Sequence, residues 1–107
     1  MSQPVTPIVI WVTAAEEEDA DRIATALVEQ RLAACVAIAP IRSIYRWQEA
    51  VEQSQEWQLT IKTTQARFAA VEAAVESLHP YDVPEVIAVP ISNGSPTYVA
   101  WLADQVA

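Results

Sequence analysis

Hydrophobic residues change their spacing from segment to segment along this chain, and the changes mark out its elements. Residues 7–13, Pro-Ile-Val-Ile-Trp-Val-Thr, form a near-continuous apolar run of strand length. Glu16, Glu17, Glu18 and Asp19 then open a helix whose buried stripe is Ala20, Ile23, Ala24, Leu27 and Val28, with its end expected near Leu32. Residues 35–47 hold one proline and no glycine, end in Ile44-Tyr45-Arg46-Trp47, and read as one long strand. Residues 56–64 alternate, Trp57, Leu59 and Ile61 facing one way and Glu56, Gln58, Thr60 and Lys62 the other. Residues 48–55 are the expected connection. A second helix is predicted from near Gln65, with Phe68, Val71, Val75 and Leu78 on one stripe, until Pro80 stops it. Pro84 introduces a last strand over 85–90. The turn Ser92-Asn93-Gly94-Ser95 then leads into a short C-terminal helix carrying Tyr98, Trp101 and Leu102.

The order strand-helix-strand-strand-helix-strand is the α+β, ferredoxin-like βαββαβ arrangement, here with a long hairpin between the second and third strands and an extra C-terminal helix. Both main helices should cover one face of an antiparallel sheet. The strands at 8–12 and 86–89 are apolar at successive positions, so their other face also wants burial, under a partner chain or the C-terminal segment. The hairpin is too long for its own globule. Thirteen extended residues reach roughly 43 Å at about 3.3 Å each, whereas a domain of this size has a radius of gyration near ~13 Å. One end must project, leaving Tyr45, Trp47 and Trp57 in need of another surface, with Trp47 and Trp57 flanking the tip. An oligomer is the expected answer.

Length and composition narrow the classes. The 107 residues make one domain, 7–107, behind a short loose tail at 1–6. Fourteen acidic residues against six basic ones give a net charge of −8, which argues against nucleic acid or an anionic membrane as partner. The longest apolar run, 33–41, contains a proline and is too short to span a bilayer. The N-terminus lacks the basic and apolar segments of a secretory signal. A single cysteine excludes an intrachain disulfide and points to a reducing cytoplasm.

Five blocks carry a family resemblance. They are Arg31-Leu32-Ala33-Ala34-Cys35-Val36, Ser43-Ile44-Tyr45-Arg46-Trp47, Ile61-Lys62-Thr63, His79-Pro80-Tyr81-Asp82-Val83-Pro84-Glu85 and Tyr98-Val99-Ala100-Trp101-Leu102. In this order and spacing, over roughly residues 8–103, they resemble the CutA family of divalent-cation tolerance proteins. The resemblance implies a cytoplasmic homotrimer of ferredoxin-like subunits, linked to tolerance of copper and other divalent metals and similar in architecture to PII-type signalling proteins. Two positions depart from the family pattern: Ala37 stands where asparagine is usual, and Glu49 where glycine is usual. A positive φ at Glu49 would cost about 1–2 kcal/mol, so a differently shaped turn is expected there.

Few residues are suited to chemistry. Apart from Met1, Cys35 and His79 are the only soft or imidazole metal ligands, and they are the candidate metal-binding residues, for copper or another divalent cation. Against that, Cys35 also suits a small buried position and His79 a helix C-terminus that favours a cationic ring. One subunit cannot supply four Cys and His ligands, so a metal would need carboxylates or neighbouring subunits, and no cofactor is obligatory. Tyr81, Asp82 and Glu85, in a proline-bounded loop, are candidates for a ligand cleft with Lys62, the chain's one lysine; each also suits a solvated turn or strand. The acids opening the first helix complement its dipole. Trp11, Trp47, Trp57 and Trp101 suit core and interface anchors, and Tyr45, Trp47, Trp57 and Trp101 are the candidate trimer contacts. No catalytic motif stands out, although Cys35, His79 and Asp82 superficially resemble a thiol-nucleophile set. The leading function is therefore a trimeric, non-enzymatic divalent-cation tolerance protein. The alternative is a PII-like signalling or assembly module that takes a small anionic ligand or a protein in the cleft between subunits.

Overall fold

The computed structural model describes residues 5–107. The first four residues of the expected tail thus lie outside the described residues. At its other end, the Thr6 carbonyl accepts a hydrogen bond from the Gln65 N–H at 2.8 Å. The elements are β1 (Pro7–Ala14), α1 (Glu17–Glu29), β2 (Cys35–Trp47), β3 (Ala50–Thr64), a 3-10 turn (Gln65–Arg67), α2 (Phe68–Leu78), β4 (Ile87–Pro90) and α3 (Pro96–Gln105). The strands form one sheet in the order β2-β3-β1-β4, with every neighbouring pair antiparallel. This is the ferredoxin-like order that the alternation of strands and helices predicts.

Strand register determines the core. Ile10 pairs with Ile61 and Val12 with Leu59, so their side chains share one face of the sheet. There they meet Ile23 and Leu27 of α1 and Val71 and Val75 of α2 in a single buried cluster. The acids Glu17, Glu18 and Asp19 occupy the first turn of α1, where they complement the positive end of the helix dipole. That helix ends earlier than Leu32. Arg31 takes a left-handed φ of 59°, and the N–H groups of Arg31 and Leu32 turn back to the carbonyls of Val28 and Leu27 at 3.1 and 2.9 Å. These two bonds form a Schellman closure, which satisfies the last carbonyls and stops the helix.

The hairpin departs furthest from expectation. No eight-residue connection exists: β2 and β3 pair continuously from Cys35 with Lys62 to Trp47 with Ala50. Only Gln48 and Glu49 make the turn, with φ values of 50° and 68°. A two-residue loop between twisted strands calls for left-handed backbone at both positions, so Glu49 adopts the φ that its missing glycine would have eased. Trp57 consequently does not flank the tip. It pairs with Pro40, ten residues from Trp47, and packs partly buried against the main core. Trp47 alone, opposite Ala50, sits beside the turn. The ribbon makes the protomer elongated, 52 × 25 × 21 Å, with a radius of gyration of 14.7 Å.

The second face of the sheet is covered in part by the chain itself. Leu102 of α3 and Val106, the residue that caps it, join Ala34 and Ile91 in a small separate core. Arg31 donates from Nη2 to the Asp104 carbonyl at 3.2 Å, and Arg67 from Nε to the Val106 carbonyl at 2.7 Å. Two cations therefore satisfy the carbonyl end of α3. Gly94 permits the approach to that helix, because a Cβ there would lie 2.8 Å from Cγ2 of Val99. Beyond α3, Ile87 and Val89 of the edge strand β4 remain exposed.

Candidate functional site

Two clusters of functional side chains form, towards opposite ends of β1. The first is built by register. Cys35, at the start of β2, is paired with Lys62 of β3, which is also paired with Val9 of β1. On the same face, Tyr98 of α3 places its hydroxyl 3.8 Å from the Cys35 sulfur. The Lys62 ammonium lies over the Tyr98 ring, 5.7 Å from its centroid. Trp101, one turn further along α3, stacks obliquely on Tyr98 with centroids 5.5 Å apart. Cys35 is a free thiol and only partly exposed.

The second cluster follows α2. His79 caps that helix and is buried, its extended backbone turning the ring back onto β1. Its Nε2 donates to the Thr13 carbonyl at 2.7 Å, and its Nδ1 accepts from the Tyr81 N–H at 3.1 Å. A carbonyl only accepts and an amide N–H only donates, so these two bonds define the neutral ring protonated on Nε2. The expected cationic ring at the helix end is therefore replaced by a neutral one that ties the loop to the sheet. Tyr81 packs on His79 with centroids 4.7 Å apart. Burial pushes the Tyr81 phenol above its ordinary value, helped by the charge of Glu56 and, less strongly, by Tyr45, Asp19 and Glu16. Burial also raises the Glu85 carboxyl, with repulsion from Glu56 adding to it. Asp82 stands exposed in the loop between them.

The residues singled out from sequence thus divide. Tyr81 and Glu85 share the loop after α2, where the charge of Glu56 acts on both, and Lys62 does not reach them within one protomer. Lys62 pairs with Val9, whereas His79 anchors at Thr13, four residues along β1 and about 13 Å away at strand spacing. The same separation keeps Cys35 from His79. Both nitrogens of His79 are already engaged, and among the described residues no group of three or more His, Cys, Asp or Glu side chains is placed to hold a metal ion. One protomer alone does not fit a closed copper or zinc centre. Sequence reasoning missed Tyr98 and Glu56 as members of these clusters. Tyr98 followed from helix spacing only as an apolar anchor, and Glu56 from strand alternation only as a polar position.

A four-stranded antiparallel sheet of this order, with two helices on one face and a third on the other, is a ferredoxin-like α+β domain. The family model for CutA1 divalent ion tolerance protein matches residues 8–105, and the chain belongs to that family. It is 50% identical over 97 residues to the divalent-cation tolerance protein CutA of Thermus thermophilus, covering 90% of this chain and 94% of that one. It is 43% identical over 102 residues to the chloroplastic CutA of Arabidopsis thaliana, covering 94% of this chain but 56% of the longer plant protein. The crystal structure of CutA1 from Oryza sativa superposes with a TM-score of 0.94 at 40% identity, covering 99% of this chain and 98% of that one. Among the described residues, no helix is long and apolar enough to cross a membrane.

Proposed function

We propose that this chain acts in divalent-cation tolerance as a non-catalytic, cytoplasmic homotrimer, and that it contacts copper or a similar ion through groups that meet only between subunits. The observation that carries the reading is the distal half of the ribbon. Ile44, Trp47 and Val51 are 64%, 61% and 70% exposed there, on two strands that no helix covers. A soluble chain rarely leaves so much apolar surface open unless another surface takes it. The exposed Ile87 and Val89 on the uncovered part of the sheet support the same conclusion. Cys35 offers a soft ligand, and the carboxylates of Glu56, Asp82 and Glu85 offer hard ones. His79, with both nitrogens engaged, supports the loop and is not a ligand.

Sedimentation at micromolar concentration tests the assembly: the expected species has about three times the 11.8 kDa mass of the chain. A well-behaved species at the chain mass overturns it. Equilibrium dialysis against copper then tests the ligands, with weaker binding expected for Cys35→Ala. A second reading is a PII-like module that binds a small anion at Lys62. It is favoured by the placement of the one lysine over Tyr98 on a partly covered face. Replacing Lys62 with Met should weaken such an anion and leave the assembly intact.

A further inference from the structure

The chain has one thiol and one lysine amine, and the sheet makes them direct cross-strand partners. Side chains paired in this way leave the same face with their β-carbons roughly 4.5–5.5 Å apart. Tyr98 touches both, with its hydroxyl 3.8 Å from the sulfur and its ring 5.7 Å from the ammonium. The thiol is free and partly exposed, the lysine is partly exposed, and Lys62 joins no salt bridge among the described residues. Two nucleophiles thus leave the same face from paired positions on neighbouring strands, beside one phenol.

We propose that Cys35 and Lys62 form a relay that acylates Lys62 from small acyl thioesters, of which acyl coenzyme A is the general type. In the first step the Cys35 thiolate attacks the thioester carbonyl, a new carbon–sulfur bond forms, and the incoming thiol leaves as its thiolate. In the second, the neutral Lys62 amine attacks the same carbonyl carbon. The bond to the Cys35 sulfur breaks, the amine loses a proton, and the sulfur regains one. The products are an amide on Lys62 and a free Cys35 thiol, with no oxidant or reductant consumed. The Tyr98 hydroxyl, beside the sulfur, is placed to hydrogen-bond the thiolate as it leaves. Acylation removes the ammonium from the Tyr98 ring and makes the net charge of −8 one unit more negative. This relay goes beyond the tolerance role, and it rests on the Cys35–Lys62 pairing within one protomer.

The native protein, incubated with acetyl coenzyme A and read by peptide mass spectrometry, supplies the test, with its N-terminal amine as internal reference. Relative to that amine, Lys62 should be acetylated about tenfold or more faster in the unaltered chain than in Cys35→Ala or Cys35→Ser, because the intramolecular step has a high effective concentration. In Lys62→Arg, the acyl group should instead accumulate on Cys35 as a thioester that hydroxylamine removes. Equal relative rates at Lys62 with and without the thiol overturn the proposal. So does a Lys62→Arg protein that never carries an acyl group on Cys35.

Discussion

The two halves of the β2–β3 ribbon are covalently one structure and physically two. At its base, Leu59 and Ile61 are fully buried under α1 and α2, with Val36 and Ile38 packed at the margin of the same core. At its far end the same pairing continues to Trp47 and Ala50, but Ile44, Trp47 and Val51 are left uncovered. Hydrogen bonding is alike in both halves, so the ladder alone does not tell them apart. What differs is which apolar groups the protomer can remove from water, since burial is where most of the favourable free energy arises. The base is held by its own chain, and the tip is left in water.

Substitutions can break this contrast in order of size. Leu59→Ala, at the base, is expected to cost about 2–5 kcal/mol in denaturant unfolding, as cavities in closed cores do. Trp47→Ala, at the tip, should leave the circular dichroism of the protomer unchanged while weakening assembly by about 2 kcal/mol, the scale of an aromatic interface anchor. A dilution series in the ultracentrifuge reads that effect, and a loss of protomer fold instead would mean that the tip is not a separate region. Smaller again is Glu49→Gly, which relieves the left-handed backbone at φ 68° and should raise stability by about 1 kcal/mol, seen as a higher midpoint with an unchanged denaturant slope.

The smallest expected effect concerns pH, at the cluster where Glu56 faces the loop after α2. The Glu85 carboxyl is raised in the folded state, so the fold binds its proton more tightly than the unfolded chain does. Its stabilising contribution is complete below the unfolded value and is lost as pH rises through the folded one. Glu56→Gln should lower the Glu85 titration, followed by carbon NMR of its carboxyl, by removing the repulsion while leaving the burial. A titration that does not move would show that the two carboxylates are not neighbours. The Tyr81 phenol, also raised, has the same sign on the alkaline side, its contribution fading only as that ring ionises.

Much of this layout was legible in the residues, for identifiable reasons. The run at 7–13, the stripe from Ala20 to Leu27 and the alternation around Leu59 and Ile61 all report a buried face, and burial imposes a period on sequence. Residues 50–55 read as a loop because a ribbon exposed on both sides imposes no period, so Glu52, Gln53, Ser54 and Gln55 carry no strand signature. The turn was hidden as well, since Gln48 and Glu49 hold left-handed backbone without the glycine or asparagine that usually announces it. Misjudging where β3 starts also moved Trp57 from the body to the tip. For the clusters, residue type suggested Cys35, Lys62, His79, Tyr81 and Glu85, and chain proximity grouped Tyr81 with Glu85, but nothing local grouped Cys35 with Lys62 or His79 with Thr13. His79 finds its carbonyl 66 residues away, and Cys35 finds Lys62 only through strand register. Contacts of that range leave no local pattern to read.

The position of the one lysine has a practical consequence. Lys62 lies in β3, bonded to β1 on one side and β2 on the other. A lysine-specific protease has that single site, and the peptide enters its cleft only after both flanking strands have peeled away. Fraying at the ribbon tip exposes nothing to cut, because Lys62 lies at the opposite end of the hairpin, where it pairs with Cys35. The rate of appearance of two fragments would therefore report the opening of the hairpin base and of β1 beside it, a one-bond gauge of local unfolding under native conditions.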